Sequence, residues 1–304
     1  MRNYTLKQIQ TFMEVARQGS VSKAAERLFV TQPAVSMHIR QLEDAFGVAL
    51  FEPQGRGIRL TDAGHAFAGR ATAVMAELHE LESLMAEHAG AKQGRIALAV
   101  VTTAKYFVPM LLVRFGQLFP GIDVVLRIDN RENVLGLLAR SEADLVIMGR
   151  APKNMATEAV AFATNPMGII APPKHPLVQR ERLPFTALAD HIFVVRESGS
   201  GTRAAMERLF AQNEVPLKVA MEMPSNETIK QAVMAGMGLS FLSLRTVRQE
   251  LAGGYLAQLD ISGMPLTGQW FITHLAGKTL SPAASATTTT TDSACSSSPA
   301  ASTP

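Results

Sequence analysis

Three residues, Phe29-Val30-Thr31, are all that separates two helical patterns in SKAAERLFVTQPAVSMHIRQLE, and so short a joint leaves little choice of packing. Before it, a helix starting near Ser22 turns Ala24, Ala25 and Leu28 inward. After it, Val35, Ile39 and Leu42 recur at i, i+4 and i+7, one buried stripe. The small Ala24 and Ala25 let the two helices cross closely, which a helix-turn-helix requires. Pro33 stands in the first turn of the second helix, where an N–H has no partner anyway. Thr31 is placed to cap that helix and Gly47 to close it. The side opposite the stripe carries Pro33, Ser36, Met37, Arg40 and Gln41, a short, lightly charged face rich in hydrogen-bonding groups.

A face of that kind suits a DNA major groove, which admits one helix and is read by polar side chains near its N-terminus. Gln32 offers a bidentate amide to adenine, Ser36 a donor and an acceptor, and Pro33 or Met37 an apolar contact to a thymine methyl. Arg40, Lys23, Arg56 and Arg59 are placed to meet phosphates. The plain alternative is three ordinary helices with a solvated face. Upstream, Thr5-Leu6-Lys7-Gln8 has the form of a capping box, and Leu6, Ile9, Phe12, Met13 and Ala16 make a stripe that Gly19 ends. Downstream, Gly55 and Gly57 flank a tight turn, and Ile58 and Leu60 alternate with Arg59, so a hairpin or wing is predicted. Thr61 then caps a long helix. Its Phe67, Val74, Leu78, Leu81 and Met85 form a near-heptad seam, with Glu77, Glu80, Glu82 and Glu87 outside. Pairing with a second copy buries such a seam; packing on its own domain is the alternative.

A formal charge of only +3 means that any nucleic-acid surface is local. Cys295 is the single cysteine, so neither an intrachain disulfide nor a cysteine metal cluster is available. MRNYTLKQIQ lacks a signal-peptide core and no stretch reaches about 18 consecutive apolar residues, so the expectation is a cytoplasmic chain with no membrane span.

The rest of the chain reads as α/β. RIALAVV, GIDVVLRI and DLVIMG are strands separated by helices at 107–119 and in ENVLGLLARSE, a parallel β-α-β-α-β run. A second set follows: VAFATNPMGIIAPP, IFVVR, a helix from Thr202, LKVAMEM, a helix from Asn226, and GLSFLSL. GQWFITHLAG is a last strand able to return to the first sheet. Two lobes joined by two crossovers enclose a cleft, with ligands at strand C-terminal ends. Three strand-to-helix segments are expected to face it: Thr102, Thr103, Lys105 and Tyr106; Ser200, Thr202 and Arg203; and Ser225 and Asn226. Asn130, Arg131, Glu132 and Arg150 complete the set. Helix N-termini with Ser, Thr and Arg favour phosphate or carboxylate groups. Each cap alone is more often only a cap; their convergence points to an anionic metabolite.

No catalytic set is found. ESGSGTR lacks the GK[ST] ending of a phosphate-binding loop, no HExxH, CxxC or GxSxG occurs, and the histidines (38, 65, 79, 88, 175, 191, 274) are scattered. The expectation is a non-enzyme without metal or cofactor.

The run SVSKAAERLFVTQPAVSMHIRQLEDAFGVALFE, followed by RLTDAG, closely resembles the winged helix-turn-helix of LysR-type transcriptional regulators. TTAKYFVPMLL, DNRENV, DLVIMGR, ESGSGTR, SNETIKQAVMAGMGLSF and HLAGKTLSPAA look most like the branch that regulates RuBisCO (Calvin-cycle) operons. The resemblance implies an all-α-like N-terminal domain, a winged helix-turn-helix over 1–65, and a linker/dimerisation helix over 66–90. A regulatory domain over 91–304 follows, with two Rossmann-like, periplasmic-binding-protein-like lobes: lobe I at 95–160 and 268–280, lobe II at 161–267. A hinge is expected at 90–94 and a disordered low-complexity tail at 283–304. By resemblance Gln32, Pro33 and Ser36 read bases, and Thr31 beside them is also expected to touch DNA. Met37 and Pro53 stand where relatives carry arginines, which leaves Arg56 as the better wing contact. The resemblance further implies a homodimer or homotetramer that bends double-stranded promoter DNA at an interrupted palindrome, with RNA polymerase as a partner. Its effector is expected to be a phosphorylated or carboxylated metabolite, nicotinamide nucleotides included, and its action activation of carbon-fixation genes. A LysR-type regulator of another pathway with a carboxylate or aromatic-acid effector is one alternative. A two-lobe solute-binding protein is the alternative from another class.

Overall fold

The computed structural model describes residues 4–55, 57–88, 94–277 and 284. The chain forms two compact units, Met1–Glu82 and Ser83–Pro304.

The first unit runs α1 (Leu6–Gln18), α2 (Val21–Leu28), α3 (Gln32–Phe46), β1 (Phe51–Gln54), β2 (Gly57–Leu60) and most of α4 (Asp62–His88), which continues past the boundary at Glu82/Ser83. The capping box forms as read: Gln8 Oε1 accepts from the Thr5 N–H at 2.7 Å, and Thr5 Oγ1 from the Gln8 N–H at 3.3 Å. Thr5→Ala is therefore expected to cost about 1 kcal/mol, seen as a lower melting midpoint of the full chain. Helix α2 begins at Val21, capped by Ser20, slightly earlier than expected. Thr31 holds the N-cap position of α3 in extended backbone, but its side chain makes no capping bond, against expectation. Phe12, Val15, Ala24, Val35 and Leu42 are fully buried and form the core on which these helices cross. In the wing, β1 and β2 pair antiparallel with Phe51 opposite Leu60. A Cβ at Gly57 would sit 2.9 Å from the Gly19 carbonyl, so glycine lets the wing lie against the end of α1.

Helix α4 is capped by Thr61, whose Oγ1 accepts from the Gly64 N–H at 3.0 Å. The border drawn at 65/66 therefore falls inside one helix. Phe67 departs from its seam role: its ring packs on Phe12 at 4.8 Å and Phe46 at 5.2 Å, in the core of the winged unit. Val74, Leu81 and Met85 are about half exposed and Leu78 is half-buried. Of the hinge at 90–94, residues 90–93 lie outside the described residues.

The second unit begins with β3 (Gly94–Val101), α5 (Val108–Leu118), β4 (Ile122–Asp129), α6 (Arg131–Ala139) and β5 (Leu145–Met148). The three strands are parallel with β3 in the middle, as the β-α-β-α-β reading requires. Then come β6 (Thr157–Ala171), β7 (Ile192–Arg196), α7 (Gly201–Gln212), β8 (Lys218–Met223), α8 (Asn226–Met234), β9 (Ser240–Ser243), α9 (Arg248–Ala252), β10 (Ala257–Gln258) and β11 (Leu266–Leu275). Strands β7 and β8 are parallel, and Phe193 bridges Leu239 in the same sense. β5 and the last four residues of β7 are wholly buried, as expected of parallel strands covered on both faces.

Lobe boundaries are set by two long strands. β6 pairs with β11 along its first part and with β9 and β10 near its end, so it starts in lobe I and finishes in lobe II. β11 runs antiparallel to it and reaches β5 through Phe271, Ile272 and Thr273. These are the two crossovers, and the division at 160/161 lies within β6. Ala284, assigned by sequence to the tail, is instead buried in the lobe I core with Ile96, Leu98 and Trp270. The remaining tail positions fall outside the described residues.

Candidate functional site

Helix α3 presents the face the sequence singles out. Gln32, Pro33, Ser36, Met37 and Arg40 are all exposed, while Val35, Ile39 and Leu42 anchor the opposite side in the core. Gln41 is drawn back to α1, its Oε1 accepting from Gln8 Nε2 at 2.6 Å. Gln32 Oε1 accepts a 3.3 Å bond from the Ser22 hydroxyl, which leaves its amide NH2 outward. Lys23 is exposed on α2. Arg59 pairs across the wing with Glu52 at 2.7 Å. An exposed pair of this kind is worth about 0–1 kcal/mol, so a phosphate can displace the carboxylate. Arg56 lies outside the described residues.

In the second unit, a cavity of about 290 Å³ lies between the lobes. Thr102 and Thr103 reach it from the end of β3, Arg131 from the start of α6, and Gly149 and Arg150 from the end of β5. Strand ends are where an α/β sheet offers free backbone groups. Across the cleft, α7 presents Gly201, Ala204, Ala205 and Arg208, spaced as one helical face. Ser200, its N-cap residue, is buried and its side chain makes no capping bond, so the first turn of α7 still has donors to give. β6 and β11 supply Asn165, Thr267 and Trp270. The Trp270 indole N–H is buried without a protein acceptor.

The electrostatics are one-sided. Arg131, Arg150 and Arg208 converge on the cavity, and among the described residues no carboxylate lines it. Arg131 Nη1 donates to the Arg150 carbonyl at 2.5 Å and to Met148 Sδ at 3.1 Å. Burial first, then the Arg150 and Arg208 guanidiniums, push the Arg131 pKa down. Burial and Arg150 likewise lower Arg208, with Glu207 opposing. Concentrated positive charge beside an uncapped helix N-terminus is an arrangement that an anion stabilises.

Of the expected cleft residues, Thr102, Thr103, Arg131, Arg150, Ser200 and Thr202 line this cavity. The others do not, each for a local reason. Asn130 caps α6, its Oδ1 accepting from the Asn133 N–H at 3.0 Å. Glu132 and Arg203 border a neighbouring groove of about 340 Å³. Arg203 is held there by Glu207 at 2.6 Å and by the Arg196 carbonyl at 3.2 Å. Lys105 lies over the Tyr106 ring, and the Tyr106 hydroxyl donates to Glu227 in lobe II. Burial first, then that carboxylate, raises the Tyr106 pKa well above the phenol range. Ser225 caps α8, accepting from the Glu227 N–H at 3.2 Å, and Asn226 accepts from Arg196 at 2.7 Å. Arg208, Asn165, Thr267, Gly268 and Trp270 were not foreseen. Helix phase could have found Arg208, since 201, 204, 205 and 208 share a face and 203 does not.

Comparison with known proteins bears on both units. Residues 6–65 match the family described as bacterial regulatory helix-turn-helix protein, lysR family, and residues 89–293 match the LysR substrate binding domain. The chain belongs to the LysR family of transcriptional regulators. This regulator is 44% identical over 281 residues to the HTH-type transcriptional activator CmpR of Synechocystis, covering 92% of each chain. It is 43% identical over 282 residues to the RuBisCO operon transcriptional regulator of Allochromatium vinosum, covering 93% of each. Its fold is also similar to the Synechocystis CcmR regulatory domain solved in complex with 2-PG, with 41% identity and a TM-score of 0.66, covering 68% of this chain and 100% of that one. The expected architecture, a winged helix-turn-helix followed by a two-lobed α/β domain, is thus the family's own. The solute-binding alternative falls, because the DNA-binding unit is part of the match. Among the described residues no helix is long and apolar enough to cross a membrane.

Proposed function

We propose that this LysR-family regulator activates carbon-fixation (RuBisCO) genes when a compact metabolite bearing more than one anionic group, such as 2-PG, occupies the cleft. One observation carries the reading: Arg131, Arg150 and Arg208 meet in a cavity of about 290 Å³ that no carboxylate among the described residues lines. A single carboxylate needs one guanidinium, whereas a phosphorylated carboxylate engages several. The charge therefore favours a phosphorylated acid over an aromatic acid, and the volume favours a small ligand over a nicotinamide nucleotide. The curated relatives bearing activator and RuBisCO-operon names support the pathway.

In this reading the protein acts in the cytoplasm as a homodimer or homotetramer joined through the half-exposed Val74, Leu78, Leu81 and Met85 of α4. It places two α3 helices in successive major grooves and contacts RNA polymerase at the promoter. The metabolite shifts the balance between lobe arrangements only by its differential affinity for them. Footprinting on a RuBisCO-type promoter is the test. Addition of 2-PG is expected to change the length of protected DNA, with an aromatic acid such as benzoate having no effect. A footprint altered by benzoate and indifferent to 2-PG would overturn the effector assignment.

A further inference from the structure

Arg196 ends β7 in the wall of the cleft, 2% exposed, yet it does not line the cavity. Its guanidinium is already engaged. Nε and Nη2 donate to the Glu197 carboxylate at 2.7 and 2.8 Å, and Nη1 donates to Asn226 Oδ1 at 2.7 Å. Nη2 also donates to Thr102 Oγ1 at 2.9 Å. Glu197 balances its charge, so Arg196 is not a fourth anion-binding arginine. Arg196, Glu197 and Asn226 belong to lobe II and Thr102 to lobe I. The last of these bonds therefore spans the cleft.

A guanidinium can only donate, whereas a hydroxyl has one proton to give and two lone pairs. Thr102 Oγ1 must therefore accept from Arg196, and its own proton is left for another acceptor. Thr102 lines the anion cavity. Asn226 shows the same constraint from the other side. Its oxygen is held against the guanidinium, and its Nδ2 is left buried without a partner. Turning the amide over would set two donors against each other, so the unpaired NH2 is the consequence of keeping Arg196 in place.

We propose that Arg196 is a positioning residue: by occupying an acceptor site on Thr102 it fixes that hydroxyl as a donor to the bound anion, and does so only while the lobes stand in this arrangement. The inference rests on the anion-site reading above. Ligand selection and lobe position then meet in one hydrogen bond, because separating the lobes frees Thr102 to rotate and to lose its preference for an acceptor.

The test is a double-mutant cycle on the full chain, titrated with 2-PG by calorimetry. Thr102→Val alone, and Arg196→Gln made with Glu197→Gln so that no carboxylate is stranded, are each expected to weaken binding about tenfold. The combination is expected to weaken it by about the same tenfold rather than a hundredfold, and Thr102→Ser to stay within about twofold of the parent. Arg196→Lys, which keeps the charge beside Glu197 but has one nitrogen in place of three and cannot span Glu197, Asn226 and Thr102 together, closes the same cycle if the neutral pair does not fold. Multiplicative losses, or an Arg196 variant with parental affinity, would overturn the positioning role and leave the anion site standing. A parent chain that takes up neither 2-PG nor inorganic phosphate would instead overturn the anion site, and this role with it.

Discussion

Arg131→Gln and Arg208→Gln are each expected to weaken the binding of 2-PG by about 10- to 100-fold, while Arg203→Ala is expected to leave it within about twofold. Hydrogen bonds to charged groups contribute about 1.5–3 kcal/mol, and losing one guanidinium from a buried anion removes at least one of them. Arg203 stands in the ESGSGTR turn and invites the same role. Its guanidinium is instead committed to Glu207, Glu222 and the Arg196 carbonyl, outside the cavity. The ligand-free chain supplies a second reading of opposite sign. Burial first, and then the neighbouring guanidiniums, disfavour the charged forms of Arg131 and Arg208. Removing either cation relieves repulsion, so the empty Arg131→Gln and Arg208→Gln chains are expected to melt no lower than the parent, whereas 2-PG raises the melting point of the parent and of Arg203→Ala by more than that of either of them. Calorimetry and thermal melts on the same three variants check both. An Arg203→Ala chain that loses 2-PG while Arg208→Gln keeps it would place the anion in the neighbouring groove.

That contrast shows where sequence reasoning reaches its limit. The winged unit is legible because its signals are local: a capping box at Thr5, a glycine ending α1, a three-residue joint and an i, i+4, i+7 stripe each act within a few residues. The alternating lobes are legible for the same reason. The cavity is not local. Whether Arg203 or Arg208 faces the other lobe depends on which side of α7 meets the cleft, a choice made by packing far away in sequence. Trp270 and Asn165 enter through β11 and β6, whose register shifts at Trp270/Phe271, and no alternation pattern survives such an irregularity. Ser225 and Asn226 look like cleft residues because they open a helix after a strand. The structure spends them on capping α8 and on holding Arg196. Phe67 shows the same limit within one helix: heptad spacing gives its face and says nothing about which neighbour covers it.

Gln32→Ala and Ser36→Ala are each expected to cost about 1–3 kcal/mol of discrimination at one base pair. Both side chains are exposed on a helix whose other face is pinned by Val35, Ile39 and Leu42, so neither change disturbs the core. Alanine is also the stronger helix former, and the loss should therefore appear in binding with no fall in melting temperature. Charge separates reading from positioning. Neither substitution alters the number of phosphates neutralised, so the slope of log affinity against log salt stays at its parental value. Arg40→Ala, farther along the same exposed face, is expected to weaken binding to all duplexes alike and to lower that slope by about one unit. Competition binding between the promoter site and single-base variants, repeated over a salt series, distinguishes the two behaviours. A Gln32→Ala chain that weakens uniformly, with a shallower slope and unchanged base preference, would assign the ridge to backbone contact and move base reading to another surface.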